Sequence, residues 1–465
     1  MKKYALFSLF SGAGGLDLGF KLTGSFSILF GNDVSAPATY SFARNFGAKI
    51  LTREPTSSDL PAVFLGDVTK LKFNGFDAVR PDVVSGGPPC QDFSIVRGPP
   101  AERSGIRVSR GKLYSHFIRA LYYLQPPVFV FENVPGLMSA NRGEAYKVIR
   151  EDFSNLNIRW SEIKALLGNS SSAPPKAYEV LFSGLVDASK LGVPQARKRL
   201  IIIGVRKDLL NSLLQGVTVV KEKIEATLTG RGTLVSKYPL VPLEVFEGQA
   251  LPDLQSKYVE IMKEYEGIAE EVKTLRALEW ERGIAKLTYD AIEDYLALNG
   301  IKPLSKSEID EAFEEHAKIL KELGYYGVKV SEVKSRDGSN RLPKGSKAVL
   351  ERMRRIPPGE NHEFVRGTKW EVEGRGISLI YRRIHPLKPA YTVVAYGGGG
   401  TWGYHYERGR AMLTNRERAR LQTFPDDFLF EGSWSEVRAQ IGEAVPPLMA
   451  KRIGEVVAGI LENFS

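Results

Sequence analysis

The sequence predicts an α/β protein: a doubly wound, mostly parallel sheet accompanied by a second, variable domain. Three observations carry that expectation. Seven short apolar or alternating runs of strand length fall within the first 205 residues. Helical patterns such as YSHFIRALYYL lie between several of them, which is the rhythm of a parallel sheet with crossover helices. The first run leads directly into a glycine-rich turn, FSGAGGLDLGF, where such sheets receive ligands at a helix N-terminus.

In chain order the runs are YALFSLF, FSILFGND, AVFLGDV, PDVVSGG, PVFVFENV, YEVLFSGLV and KRLIIIGV. From about residue 209 the texture changes to amphipathic helices. LTYDAIEDYLALNG places Thr288 as an N-cap and Gly300 as a C-terminal stop. SKSEIDEAFEEHAKILKEL opens with a capping box of Ser305 and Glu308, then sets Ile309, Phe313, His316, Ala317, Leu320 and Leu323 along one face. On that stripe His316 reads as a packed core histidine. The stretch SEVKSRDGSNRLPKGSKAVLERMRRIPPGENHEFVRGTKW is basic and rich in Gly, Pro and Ser; it suits contact with phosphate, a solvated linker being the competing reading. AQIGEAVPPLMAKRIGEVVAGILENFS ends the chain with a further amphipathic helix after two prolines.

A chain of 465 residues with 43% hydrophobic content can bury a large core and suggests two or three domains. Its single cysteine rules out an internal disulfide, fits a reducing compartment and excludes a zinc site built on several cysteines. The start, MKKYALFSLF, mimics a secretory signal, but the apolar run is short and lacks a small-residue cleavage pattern. No stretch is long and apolar enough to span a bilayer. A soluble cytoplasmic monomer without a bound metal is expected. The net charge of +10 points to an anionic partner. Residues 256–325 carry 10 Lys and Arg against 16 Asp and Glu, leaving +16 for the remainder, so a polyanion would be gripped outside that segment.

Glycines 12, 14 and 15 let the backbone turn tightly and approach a ligand. A dinucleotide fingerprint wants a further glycine where this chain has Asp17, which disfavours a pyrophosphate site. Asp33 ends the next strand, 21 residues after Gly12, and can accept from both hydroxyls of a ribose. Asp67 could accept from the exocyclic amine of an adenine. Together these outline an adenosine site without phosphate, which suggests S-adenosylmethionine.

The lone cysteine, Cys90, follows a strand in SGGPPCQDFS. The two prolines fix the backbone before it, giving a stiff and sharply aimed loop suited to a nucleophile. FVFENVPGL ends the following strand with Glu132. A carboxylic acid kept protonated there could donate to ring nitrogen 3 of a cytosine, opening carbon 6 to Cys90 and making carbon 5 nucleophilic. Arg197 and Arg199 in QARKR, two apart on an expected strand, would share one face and could hold the phosphate and the base carbonyl near the thiol.

In that order, FSGAGG, the acid of GND, GDV, GGPPCQDFS, ENV, QARKR, RERARLQTFPDDF and IGEAVPP resemble the motif series of the DNA cytosine-5 methyltransferases of restriction-modification type. The resemblance covers residues 1 to about 205 and about 380 to 465. It implies the Rossmann-like sheet of S-adenosylmethionine-dependent methyltransferases, S-adenosylmethionine as cofactor and double-stranded DNA as substrate. A separately encoded restriction endonuclease is a candidate partner. By resemblance Cys90 is the nucleophile, and Glu132, Arg197 and Arg199 support activation of the base. Phe10, Gly12, Ala13, Gly14, Gly15, Asp33, Val34, Asp67, Val68, Pro89, Leu113, Glu443 and Ala444 fall to the cofactor. The loop after Cys90, carrying Gln91, Ser94 and Arg97, falls to the extruded nucleotide and the DNA. The expected domains are residues 1–208 with 437–465 for catalysis and cofactor, and 209–436 for target recognition, with an acidic helical insert at about 250–325.

Two features depart from the family pattern. Glu443 stands where the family usually has Asn, and the acidic insert lies in the region that varies between members. The tRNA-modifying relatives carry a second cysteine motif after the arginines, which this chain cannot, since Cys90 is its only cysteine. A non-catalytic regulator of the same fold tends to lose the cysteine or the glutamate, and both are present here.

Overall fold

All seven runs form strands. β1 (Tyr4–Leu9), β2 (Phe26–Asp33), β4 (Ala62–Leu65), β5 (Val83–Gly86), β6 (Val128–Asn133), β7 (Tyr178–Asp187) and β9 (Lys198–Arg206) match them, and β3 (Lys49–Leu51) is an addition. With three residues, β3 is too short for alternation to register in sequence. The computed structural model describes residues 3–89, 112–156, 175–372, 380–396 and 403–464. It divides into two units, Met1–Asp187 with Lys198–Arg231 and Pro447–Ser465, and Ala188–Arg197 with Gly232–Pro446.

The first unit is built on one sheet of order β3-β4-β2-β1-β5-β6-β9-β7. Pairing is parallel throughout β3 to β6, while β9 runs against both β6 and β7. The chain moves outward from β1 through β2 and β4, then returns to β5 on the other side of β1. That reversal opens a crevice at the carboxyl ends of β1 and β5. Register makes those ends level, because Leu9 pairs with Gly86 and Gly86 with Phe131. Phe10, Gly87 and Glu132, the last still within β6, therefore stand at the same height.

Helices α1 (Gly15–Leu22), α2 (Ala36–Phe46), α3 (Lys112–Leu124), α4 (Glu144–Ser154) and α5 (Val217–Thr229) complete the unit, with the C-terminal helix Pro447–Glu462. The core is aromatic: Phe7, Phe30 and Phe76 pack edge to face, as do Phe117, Phe131 and Phe153. A side chain on Gly19 would strike Ala450 at 2.3 Å, so α1 and the C-terminal helix approach backbone to backbone.

In the second unit β8 (Gln195–Ala196) pairs in parallel with β10 (Ala390–Tyr391). Helices α6 (Ala291–Asn299), α7 (Lys306–Glu322), α8 (Asn415–Leu421) and α9 (Trp434–Glu443) lie among several short turns of helix. The N-cap of α6 is Asp290, not Thr288: its carboxylate accepts from the N–H groups of Ile292 and Glu293, while the Thr288 hydroxyl donates to Asp294. Gly300 closes α6 in the left-handed region. The box expected on α7 is half formed. Ser305 accepts from the Glu308 N–H, but the Glu308 carboxylate turns to Leu304 N and Lys237. His316 is fully buried, bonded to Glu244 and the Tyr238 carbonyl, and burial includes Ala312 and Ile319 in place of Ile309 and Ala317.

Arginines act as internal struts in this unit. Arg383 donates to the carbonyls of Met353, Ile356, His405, Glu407 and Arg410. Arg420 pairs with Asp426 and donates to the carbonyls of Val245 and Val328. Such guanidiniums satisfy carbonyls that irregular backbone leaves without a ladder partner. No helix among the described residues is long and apolar enough to cross a membrane.

Candidate functional site

In the first unit the turn after β1 is shaped for a ligand. Phe10 and Gly12 take positive φ, and Gly14 caps α1 at φ 92°. Gly14 is required twice over, since a side chain there would meet Phe46 at 2.4 Å. Ala13 and Gly15 are buried beneath the turn, and Phe10 is half buried. At the end of β2 the Asp33 carboxylate accepts from Gly12 N at 2.8 Å and Ser35 N at 2.9 Å, binding two loops together. Burial raises its pKa against the lowering effect of the N–H groups of Ser35, Gly12 and Val34. Val34 beside it is 74% exposed, an apolar surface at the mouth.

Asp67 follows β4 and is exposed. Its Oδ1 accepts from Thr69 N at 2.8 Å, and that hydrogen bond is the main reason its pKa is lowered. Val68 is buried, its carbonyl held by Arg119. Leu113 is half buried against the core, and Pro89 is exposed. Two carboxylates, a tight glycine turn and an open apolar side chain suit an adenosine bearing a cation. The same carboxylates would repel a phosphate.

The chemical side stands at the level ends of β5 and β6. Cys90, Gln91, Ser94 and Arg97 lie outside the described residues, which break off after Pro89 and resume at Lys112. What precedes the cysteine is closely held. Asn133 Nδ2 donates to the Pro88 carbonyl at 2.9 Å, securing the proline loop from the neighbouring strand. A side chain on Gly87 would meet Glu132 Oε2 at 2.5 Å, so the absent side chain is what admits the carboxylate. Glu132 in turn pairs with Arg199, Nε to Oε1 2.9 Å, with both side chains nearly buried. The protonated acid expected at Glu132 is met here by an ion pair that fixes its direction.

The strand expected to carry both arginines is interrupted between them. β8 ends at Ala196 and β9 begins at Lys198. Arg199 faces Glu132 in the first unit, whereas Arg197 belongs to the second and is fully buried there. Its described partners are backbone carbonyls: Val393 at 3.0 Å, Gly442 at 2.8 Å and Ala444 at 2.9 Å. Two of these flank Glu443, so Arg197 fixes the backbone on both sides of that exposed residue. Gln195 reinforces the arrangement by accepting from Val393 N and donating to Leu421 O and the Gln422 side chain.

Gly87, Asn133 and Gln195 were not singled out from the sequence as site residues. Each lies within two residues of one that was. The available signal was chemical: a carboxamide at a buried strand end must find partners, and a glycine before two prolines marks a close approach.

Comparison with known proteins adds three findings. A family described as C-5 cytosine-specific DNA methylase matches residues 4–458. The DNA (cytosine-5-)-methyltransferase M.ApeKI of Aeropyrum pernix is 58% identical over 99% of this chain and all of its own. The type II methyltransferases M.NgoFVII of Neisseria gonorrhoeae and M.BbvI of Brevibacillus brevis are 31% and 32% identical, covering 100% and 98% of this chain and 88% and 91% of theirs. A solved prophage-encoded E. coli structure, described as a DNA modification methyltransferase, superposes with a TM-score of 0.54 at 22% identity. It covers 99% of this chain and 100% of that one, and speaks for the fold.

Proposed function

We propose that this chain, which belongs to the C-5 cytosine-specific DNA methylase family, methylates cytosine within one short duplex sequence through a covalent adduct to Cys90. Methylation of DNA at carbon 5 comes with the family; the cofactor, the route and the residues are our reading. S-adenosylmethionine supplies an electrophilic methyl group on a cationic sulfur. Phe10, the turn at Gly12–Gly15, Asp33, Val34 and Asp67 would hold it. Ordinary S-adenosylmethionine is taken despite Glu443.

The target cytosine leaves the stack, at a cost of a few kcal/mol, because carbons 5 and 6 are covered inside a duplex. The Cys90 thiolate adds to carbon 6 while Glu132, aligned by Arg199 and taking up a proton as the base enters, donates to ring nitrogen 3. Electron density reaches carbon 5, which takes the methyl group. Loss of the carbon 5 proton to a base then expels the thiolate and restores the ring. Arg197 contributes by fixing the backbone around Glu443, a positioning role.

The observation that carries this reading is the arrangement at the ends of β5 and β6. Asn133 holds Pro88, and Gly87 admits a Glu132 aligned by Arg199, immediately before Cys90. We assign the first unit to catalysis and the second to target recognition. The names of the type II relatives support a cognate endonuclease as partner. Incubating unmethylated plasmid with the protein and S-adenosylmethionine, then sequencing for 5-methylcytosine, tests the reading. Methylation confined to one short sequence is expected; unmodified DNA would overturn it.

A further inference from the structure

Resting on that assignment of the second unit, we infer that residues 341–344, Arg-Leu-Pro-Lys, form the tip that enters a groove of the duplex, with Arg341 reading a guanine edge. The loop leading to the tip is fastened by a buried network. Arg416 is fully buried and pairs with Asp337 at 2.9 Å. Its backbone N–H donates to the Ser339 carbonyl and its Nε to the Ser339 hydroxyl. Asp337 also accepts from Phe430 N and Ser339 N. Asn340 donates to the carbonyls of Val330 and Val333 and accepts from the Thr414 hydroxyl.

Beyond the tip Ser346 anchors the chain by capping the helix Lys347–Met353, its hydroxyl accepting from Val349 N at 3.3 Å. Between the two anchorages Arg341, Leu342 and Lys344 are all exposed, Leu342 by 57%. Pro343 fixes its own φ and holds Leu342 extended. Among the described residues no carboxylate pairs with the Arg341 guanidinium. The cations of the tip are flanked by exposed Lys334, Arg336 and Lys347.

A solvated linker has no use for a buried ion pair at its root, since burying two charges is costly unless a fixed geometry is gained. The chemistry at the tip is that of duplex readout. A guanidinium presents paired donors to O6 and N7 of guanine in the major groove, while neighbouring lysines meet phosphate. Holding the loop rigid beforehand reduces the ordering cost on binding.

Arg341 is solvent-exposed, so its replacement leaves the folded core intact. Unaltered protein, Arg341→Ala and Lys344→Ala would each methylate a library of randomised duplexes, read out by sequencing. For Arg341→Ala the expected result is tolerance of other base pairs at one G·C position of the methylated motif, with discrimination there reduced about 10- to 100-fold. Lys344→Ala should slow all sequences alike and keep the motif. An Arg341→Ala enzyme with unchanged motif and rate would overturn the inference. No methylation by the unaltered protein would instead overturn the reading on which it rests.

Discussion

Asp17 stands where a dinucleotide fingerprint would have its third glycine, and its carboxyl group turns into the core. It is fully buried, accepts from the Ser8 hydroxyl at 3.2 Å, and has no hydrogen-bond partner on Oδ1 among the described residues. Burial raises its pKa to about 7. In the unfolded chain the group ionises near its ordinary value of 3.8. Between those values the native state binds the extra proton, so the stability this residue contributes is full below about pH 4 and is lost as pH rises through 7. The loss is on the order of 4 kcal/mol. Urea unfolding at pH 5 and pH 8 should show about 3 kcal/mol of that decline in the unaltered protein and a flatter profile in Asp17→Asn. Gly87 makes a sharper point about the site. Gly87→Ala should displace the Glu132 carboxylate and lower kcat by about 100-fold, with circular dichroism unchanged. Full activity would mean that Glu132 need not sit where it does. Both residues stood in view in the sequence, yet neither role did, because each depends on what faces the side chain from another strand or helix.

At the scale of elements, the seven strands were legible because buried strands leave apolar runs that survive any context. The three-residue strand Lys49–Leu51 was not, being shorter than its own signal. QARKR shows a different limit. A spacing of two places Arg197 and Arg199 on one face only if the strand is continuous, and it breaks between Ala196 and Lys198. The cap of α6 moved from Thr288 to Asp290 because one carboxylate there accepts two N–H groups. The basic loop was legible as charge, but its anchorage by Thr414 and Arg416 was not, since 74 or more residues separate these partners in sequence. Replacing exposed Lys334, Arg336, Lys344 and Lys347 with Ala should weaken DNA affinity and reduce the slope of log K against log salt by about 3.6. An unchanged slope would place the phosphate contacts on other elements.

For the whole molecule, the motif series and the sheet tell one story from two directions. The order β3-β4-β2-β1-β5-β6-β9-β7 brings motifs far apart in sequence to neighbouring strand ends. β1 and β2 bring the glycine turn and Asp33, while β5 and β6 bring the proline loop and Glu132 to level ends beside them. The family resemblance read from those motifs agrees with the match over residues 4–458. What sequence left open was how the second unit, to which we assign target recognition, would read DNA, because base readout depends on which side chains a fold pushes outward, and helix patterns do not encode that. On the route proposed, Cys90 bonds to carbon 6 and is released only when carbon 5 loses its proton. Duplex DNA carrying 5-fluorocytosine tests it most directly, since fluorine cannot leave carbon 5 as a proton does. With S-adenosylmethionine present, a protein–DNA adduct that survives denaturation is expected in the unaltered protein and none in Cys90→Ala. An adduct formed equally by Cys90→Ala, or methylation of ordinary DNA by that variant, would contradict it.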